Sequence, residues 1–222
     1  MRSARASDVL VDLCTQRDYL TSAGARPVLN VEQVRGNLKK LMALARWMKW
    51  PLISCMDARR PLDAVGLPGC PCVIGTAGWQ KMPCTLMPSR TCVESDNCLC
   101  VSLNILQQVQ QVVLFKHHRD PFTNPKLDRL LTELPGRRFI VFGVALEESV
   151  RLTVLGLMLR ERRVALVYDA CGFWNADEGE MTLRQLEAKG CELLSARQLV
   201  ESALALHGPR RVAGLRHRRS VA

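Results

Sequence analysis

At 222 residues, 48% apolar and 23% charged, the chain has the composition of one globular domain able to bury a core without disulfide staples. No apolar run reaches the roughly 18 residues of a membrane span, and the first residues lack the apolar core of a secretory leader. A membrane-spanning helix is therefore not expected, and the cytoplasm is the expected compartment. The net charge of +10 sits largely at the ends, with Arg210, Arg211, Arg216, Arg218 and Arg219 in the tail and Arg2 and Arg5 at the start. Residues 1–6 and 208–222 read as flexible termini around a single domain at 7–207, and nothing in the body has the aromatic interleaving of a nucleic-acid binder.

In chain order, 8–13 is a short apolar strand. Asn30 with Gln33 three positions on forms a capping-box pattern. It opens a helix whose apolar positions Val31, Val34, Leu38, Leu41, Leu44, Ala45 and Met48 recur at threes and fours. A second strand follows at 51–55. Residues 57–102 are rich in Pro, Gly and Cys with weak periodicity, and read as a loop-rich insert forming a pocket wall. Six of the ten cysteines crowd this region (Cys70, Cys72, Cys84, Cys92, Cys98 and Cys100). Their closest pairs leave one residue between, too tight for the usual zinc spacing, so reduced thiols and no metal are expected.

Periodicity returns with a strand at 110–115 and a helix after Thr123 or Asn124 that buries Leu127, Leu130, Leu131 and Leu134. The near-continuous apolar run 138–142 predicts a strand buried on both faces. A helix is expected from about Glu147 to Arg162, then strands at 164–168 and 191–194, and helices near 179–189 and 195–206. Strands alternating with amphipathic helices predict a three-layer α/β/α domain with a doubly wound, mostly parallel sheet. Its ligands belong at the carboxyl ends of the strands.

Asp12, Lys116 and the turn between Phe142 and Ser149 all fall at such strand ends. A carboxylate and an ammonium meeting there keep each other charged, and a nucleophile at a helix start has free backbone N–H groups beside it. Glu147 and Glu148 suit a helix N-terminus, or one of them faces the pocket beside Lys116. Trp79 is a candidate for the pocket wall, or a buried structural ring.

The motifs together resemble the isochorismatase-like (cysteine hydrolase) family. Val9-Leu10-Val11-Asp12-Leu13 followed by Asp18-Tyr19-Leu20 is similar to its opening strand, and Phe115-Lys116 followed by Asp120-Pro121-Phe122 to its lysine strand. Gly143-Val144-Ala145 with Ser149-Val150-Arg151-Leu152-Thr153 resembles its nucleophile turn, and Asp169-Ala170 the close of the next strand. The resemblance implies Asp12 as general base, Lys116 as its electrostatic partner, and a non-proline cis peptide at Val144–Ala145 beside the oxyanion site. It also places Ser149 where the family keeps a nucleophilic cysteine.

The family's histidine-bearing metal motif is replaced by Asp57-Ala58-Arg59 and Pro71-Cys72, so no metal or other cofactor is expected. Three functions remain open: thiol-independent hydrolysis of an amide, ureido or vinyl-ether bond by Asp12 and Lys116; a catalytically attenuated module binding a small molecule or protein; and acyl transfer through Ser149. A homo-oligomer fits the apolar content of the later helices.

Overall fold

The computed structural model describes residues 7–96, 98–136 and 138–207. The basic tail from residue 208 and the first six residues lie outside the described residues, so the expectation of flexible termini falls there.

Among the described residues seven strands form one parallel sheet: β1 (Val9–Leu13), β2 (Leu52–Asp57), β3 (Arg90–Val93), β4 (Gln111–Lys116), β5 (Phe139–Val144), β6 (Val164–Gly172) and β7 (Glu192–Leu194). Their order is β3-β4-β2-β1-β5-β6-β7, every pairing parallel. The central strands explain themselves. All five residues of β1 and all six of β5 are buried, as a strand covered on both faces by helices requires. The helices are α1 (Arg17–Leu20), α2 (Val31–Met48), α3 (Ile105–Gln108), α4 (Pro125–Glu133), α5 (Arg151–Leu159), α6 (Ala176–Ala188) and α7 (Ala196–His207). They lie on both sides of the sheet, α2 packing with α7 against β6, and α5 packing with α6. No helix among the described residues is long and apolar enough to cross a membrane.

Three local expectations change. The 57–102 segment is not all loop, because it contributes β3, an edge strand in register with β4 through Arg90↔Gln111 to Val93↔Leu114. Its side chains alternate between exposed and half-buried, which leaves a weak apolar signal. The Asn30–Gln33 capping box does not form, since the Asn30 side chain bonds instead to the Cys171 carbonyl (3.0 Å) and the Phe173 amide (3.4 Å). That residue is spent on tying α2 to the end of β6. At α4, by contrast, Asn124 does cap, accepting from the amides of Lys126 and Leu127.

The helix expected from Glu147 begins instead with a wide turn over Leu146–Val150, where the Val150 amide reaches back five residues to the Ala145 carbonyl (3.1 Å). Regular α-helix starts only at Arg151. Such widened turns recur at functional sites because they re-aim the side chains they carry.

The approach of β5 to β1 is set by Gly143. Its φ is +128°, and a Cβ built there would stand 2.0 Å from the Leu13 carbonyl oxygen. Only glycine fits at that position. The following Val144–Ala145 peptide is cis, at the place the sequence indicates.

Candidate active site

The carboxyl ends of β1, β2, β4, β5 and β6 open into a cavity of about 620 Å³. β1 and β5 are the neighbours at which the chain reverses its direction of winding, the position where open α/β sheets hold ligands. The segment after β1 contributes Tyr19 of α1 and Arg26, the end of β2 contributes Asp57, the end of β4 Lys116, the turn after β5 Ser149, and the segment after β6 Trp174.

Lys116 and Ser149 therefore reach the cavity as expected, but Asp12 does not meet Lys116. Sheet register gives the reason. Asp12 is level with Ser54 on β2, whereas Lys116 is level with Asp57, three residues further along. At ~3.3 Å per residue the two rungs are ~10 Å apart. Parity adds to this, because residues 54 and 57 of one strand face opposite sides of the sheet.

Asp12 instead lies in a sealed polar network on the far face. It ion-pairs with Lys81 (2.6 Å) and accepts from Thr15 Oγ1 (2.8 Å) and Ser54 Oγ (3.0 Å). Gln111 extends the network by donating to Ser54 Oγ and to the Thr85 carbonyl. All these groups are buried and Asp12 does not line the cavity, so it is part of the interior.

The carboxylate that faces Lys116 is Asp57. One of its oxygens takes the Lys116 ammonium and the other accepts from Tyr19 OH (2.7 Å). The Lys116 side chain is 1% exposed and that of Asp57 21%, so the acid forms the accessible side of the pair. Burial alone would pull the Lys116 pKa down; the Asp57 carboxylate that takes its ammonium opposes this, and the net direction is upward. Tyr19 is driven up by burial and then by Asp57, which keeps its phenol protonated and donating. The Gln16 carboxamide clamps Asp57 from the backbone side: Oε1 accepts from the Asp57 amide (2.8 Å), and Nε2 donates to the Asp57 and Trp79 carbonyls.

Cys14 follows the last residue of β1 in a left-handed conformation (φ 50°) and is fully buried beside this pair. Burial, then the charge of Asp57, raises its pKa well above the ordinary thiol value, so it stays a neutral thiol.

Ser149 Oγ donates to the Arg119 carbonyl (2.8 Å). Among the described residues no carboxylate or imidazole hydrogen-bonds to it. Glu148 lines the cavity and ion-pairs with Arg119 (3.6 Å). Glu147 does not face this cavity; its carboxylate accepts from the amides of Trp174 (2.7 Å) and Asn175 (3.2 Å), fixing the entry to α6. Trp79 is likewise no part of the cavity wall and packs against Phe115 at 5.6 Å between ring centroids. Asp57 and Tyr19 carried a readable signal, one as the last residue of β2 beside the lysine strand, the other in the motif after β1. Arg26 and Trp174 carried none, since only the fold brings their loops together.

A family model, the isochorismatase domain, matches residues 8–198. The chain belongs to the isochorismatase family. Among solved structures this family member is similar to an isochorismatase-like hydrolase from Alkaliphilus metalliredigens (18% identity, 89% of this chain and 99% of that one, TM-score 0.68). It is also similar to a pyrazinamidase of Pyrococcus horikoshii in complex with zinc (18%, 85% and 99%, 0.67) and to the MAR1 ribonuclease from Caenorhabditis elegans (14%, 92% and 85%, 0.62). At these identities the likeness is one of fold. No curated protein matches the sequence.

A zinc like that of the Pyrococcus protein does not fit the residues present here. Both Asp57 oxygens are already bonded to Lys116 and Tyr19, and a guanidinium, Arg59, stands two residues on. Among the described residues no group of three or more His, Cys, Asp or Glu side chains is placed to hold a metal.

Proposed function

We propose that this family member binds a small molecule in the cavity over Asp57, Lys116 and Ser149, and that covalent acyl transfer is attenuated in it. The observation that carries the reading is the hydrogen bond of Ser149. Its hydroxyl proton is directed to a backbone carbonyl, which is no base, while the Asp57–Lys116 pair has both carboxylate oxygens engaged elsewhere. A serine nucleophile needs a general base within hydrogen-bond reach, and a hydroxyl ionises far less readily than a thiol.

A second reading is hydrolysis by water. The accessible edge of Asp57 favours it, because a carboxylate with one partner on each oxygen keeps lone pairs for a water proton, with Lys116 beside it as donor. In either reading Asp57 takes the place that the sequence motif gave to Asp12. Self-association through exposed apolar side chains such as Leu204 and Leu206 of α7 is part of the proposal, and light scattering of the purified chain tests it.

The deciding experiment incubates wild type, Ser149→Ala and Asp57→Asn with amide, ureido and vinyl-ether compounds, following both affinity and turnover. Binding without turnover, unchanged in Ser149→Ala, supports the binding module. Turnover that survives Ser149→Ala and disappears in Asp57→Asn supports the water route. An acyl adduct on Ser149 detected by mass spectrometry overturns both.

A further inference from the structure

The cavity carries three carboxylates, and each is already matched by a cation. Asp57 holds Lys116, Asp63 holds Arg60 through two bonds (2.9 and 3.0 Å), and Glu148 holds Arg119. Two guanidinium groups on the wall are left over. Arg26 lies with its Cζ 3.5 Å over the Trp174 ring, and the Trp174 indole N–H bonds to the Arg26 carbonyl (3.1 Å), so both side chain and backbone of Arg26 are tied to that ring. The only side-chain hydrogen bond of Arg59 among the described residues is a weak one to Cys70 Sγ at 3.8 Å. Neither arginine has a carboxylate within ion-pair distance among the described residues.

Resting on the small-molecule reading, we propose that the ligand carries an oxyanion group, a carboxylate or a phosphate, and that Arg26 and Arg59 receive it. The guanidinium fork matches such groups with two parallel N–H bonds. Arg26 is held in place by its aromatic partner, so less side-chain freedom is lost on binding. Two uncompensated positive charges in one concave wall also concentrate anions from solution. His117 adds a further polar atom on the same wall. Its Nδ1 faces the Ala58 carbonyl (2.6 Å) and so bears the proton, which leaves Nε2 as the ring's remaining hydrogen-bonding atom. The cavity has room for a ligand well beyond the size of the oxyanion itself.

The test is calorimetric titration of the full chain with matched pairs, nicotinate against nicotinamide and phenyl phosphate against phenol, together with inorganic phosphate. The proteins are wild type, Arg26→Gln, Arg59→Gln and, as a control away from the cavity, Arg184→Gln. The expected result is that the anionic member of at least one pair binds at least about tenfold more tightly than its neutral counterpart. That advantage should fall by about tenfold or more in Arg26→Gln and Arg59→Gln and stay unchanged in Arg184→Gln. Which pair shows the preference tells carboxylate from phosphate. Neutral members binding as tightly as the anions, with the arginine variants indifferent, overturns the oxyanion proposal and leaves the small-molecule reading standing. No binding by any member up to about 10 mM overturns both.

Discussion

Asp57 and Lys116 are Cα partners on adjacent parallel strands, and their side chains form the ion pair at the floor of the cavity. Because the pairing is a rung of the sheet, the β2–β4 ladder sets its backbone geometry, and Gln16 and Tyr19 hold the Asp57 end in place. Removing the acid should leave a buried ammonium without its counter-charge. Asp57→Asn is expected to lower stability by about 3 kcal/mol, the low end for a buried pair because Asp57 is partly exposed. Urea denaturation measures this, and Asp57→Asn combined with Lys116→Met should recover much of the loss.

Asp12 makes the opposite prediction for binding. Asp12→Asn removes the charge that faces buried Lys81 and should cost about 3 kcal/mol or more of stability. Ligand affinity of the folded fraction should stay within about twofold of wild type, since the residue lies on the other face of the sheet. A tenfold loss of affinity without loss of stability would return Asp12 to the site.

Gly143→Ala should not yield folded protein. The added methyl meets the Leu13 carbonyl, and φ is one that side-chain-bearing residues rarely adopt, together more than about 4 kcal/mol. Gly66→Ala is the control: its φ of +75° is also positive, but no atom lies within 4 Å of the new methyl, so only about 1–2 kcal/mol of backbone strain is expected. Soluble yield and thermal midpoint separate the two.

The buried thiols predict alkaline sensitivity. Burial raises Cys55 to about 12 and Cys191 to about 11, and pushes Cys14, Cys72 and Cys171 upward as well. In the unfolded chain these thiols ionise near pH 8.5. The folded form therefore holds protons that the unfolded form releases, so stability is complete below about pH 8.5 and lost as pH rises through the folded values. Each thiol contributes a slope of about 1.4 kcal/mol per pH unit. Thermal midpoints from pH 7 to 10 should fall steeply above 8.5, and less steeply in Cys171→Ala. Exposed Cys92, Cys98 and Cys100 should react with a thiol reagent long before the buried five.

Much of this fold was legible in the sequence because β1, β5 and α2 bury nearly continuous or strictly periodic apolar residues. The edge strand β3 was not, since a half-exposed segment of Arg90-Thr91-Cys92-Val93 carries little hydrophobic signal. Lys116 and Ser149 reach the cavity, and Val144–Ala145 is cis, where the motifs indicate. The partner of Lys116 is not the one they indicate, because a motif gives strand identity while the pairing depends on register, and a three-residue offset separates Asp12 from Asp57. For Trp79 and Glu147 the sequence left two readings open, and only the fold chooses against the pocket-facing one. Glu148 and Ser149 beside Glu147 reach the cavity while no residue near Trp79 does, and side-chain direction in an irregular segment is fixed only by tertiary contacts.

The Gln16 carboxamide presents both a donor and an acceptor to the backbone of Asp57, beyond the point where β1 has stopped pairing with β2. It thus works as a surrogate peptide unit. Solvent reaches the Asp57 amide hydrogen only when the loop after β1 lifts away, so isotope exchange at that single position gauges opening of the cavity mouth. A ligand that bridges this loop to the sheet would slow that clock without moving a strand.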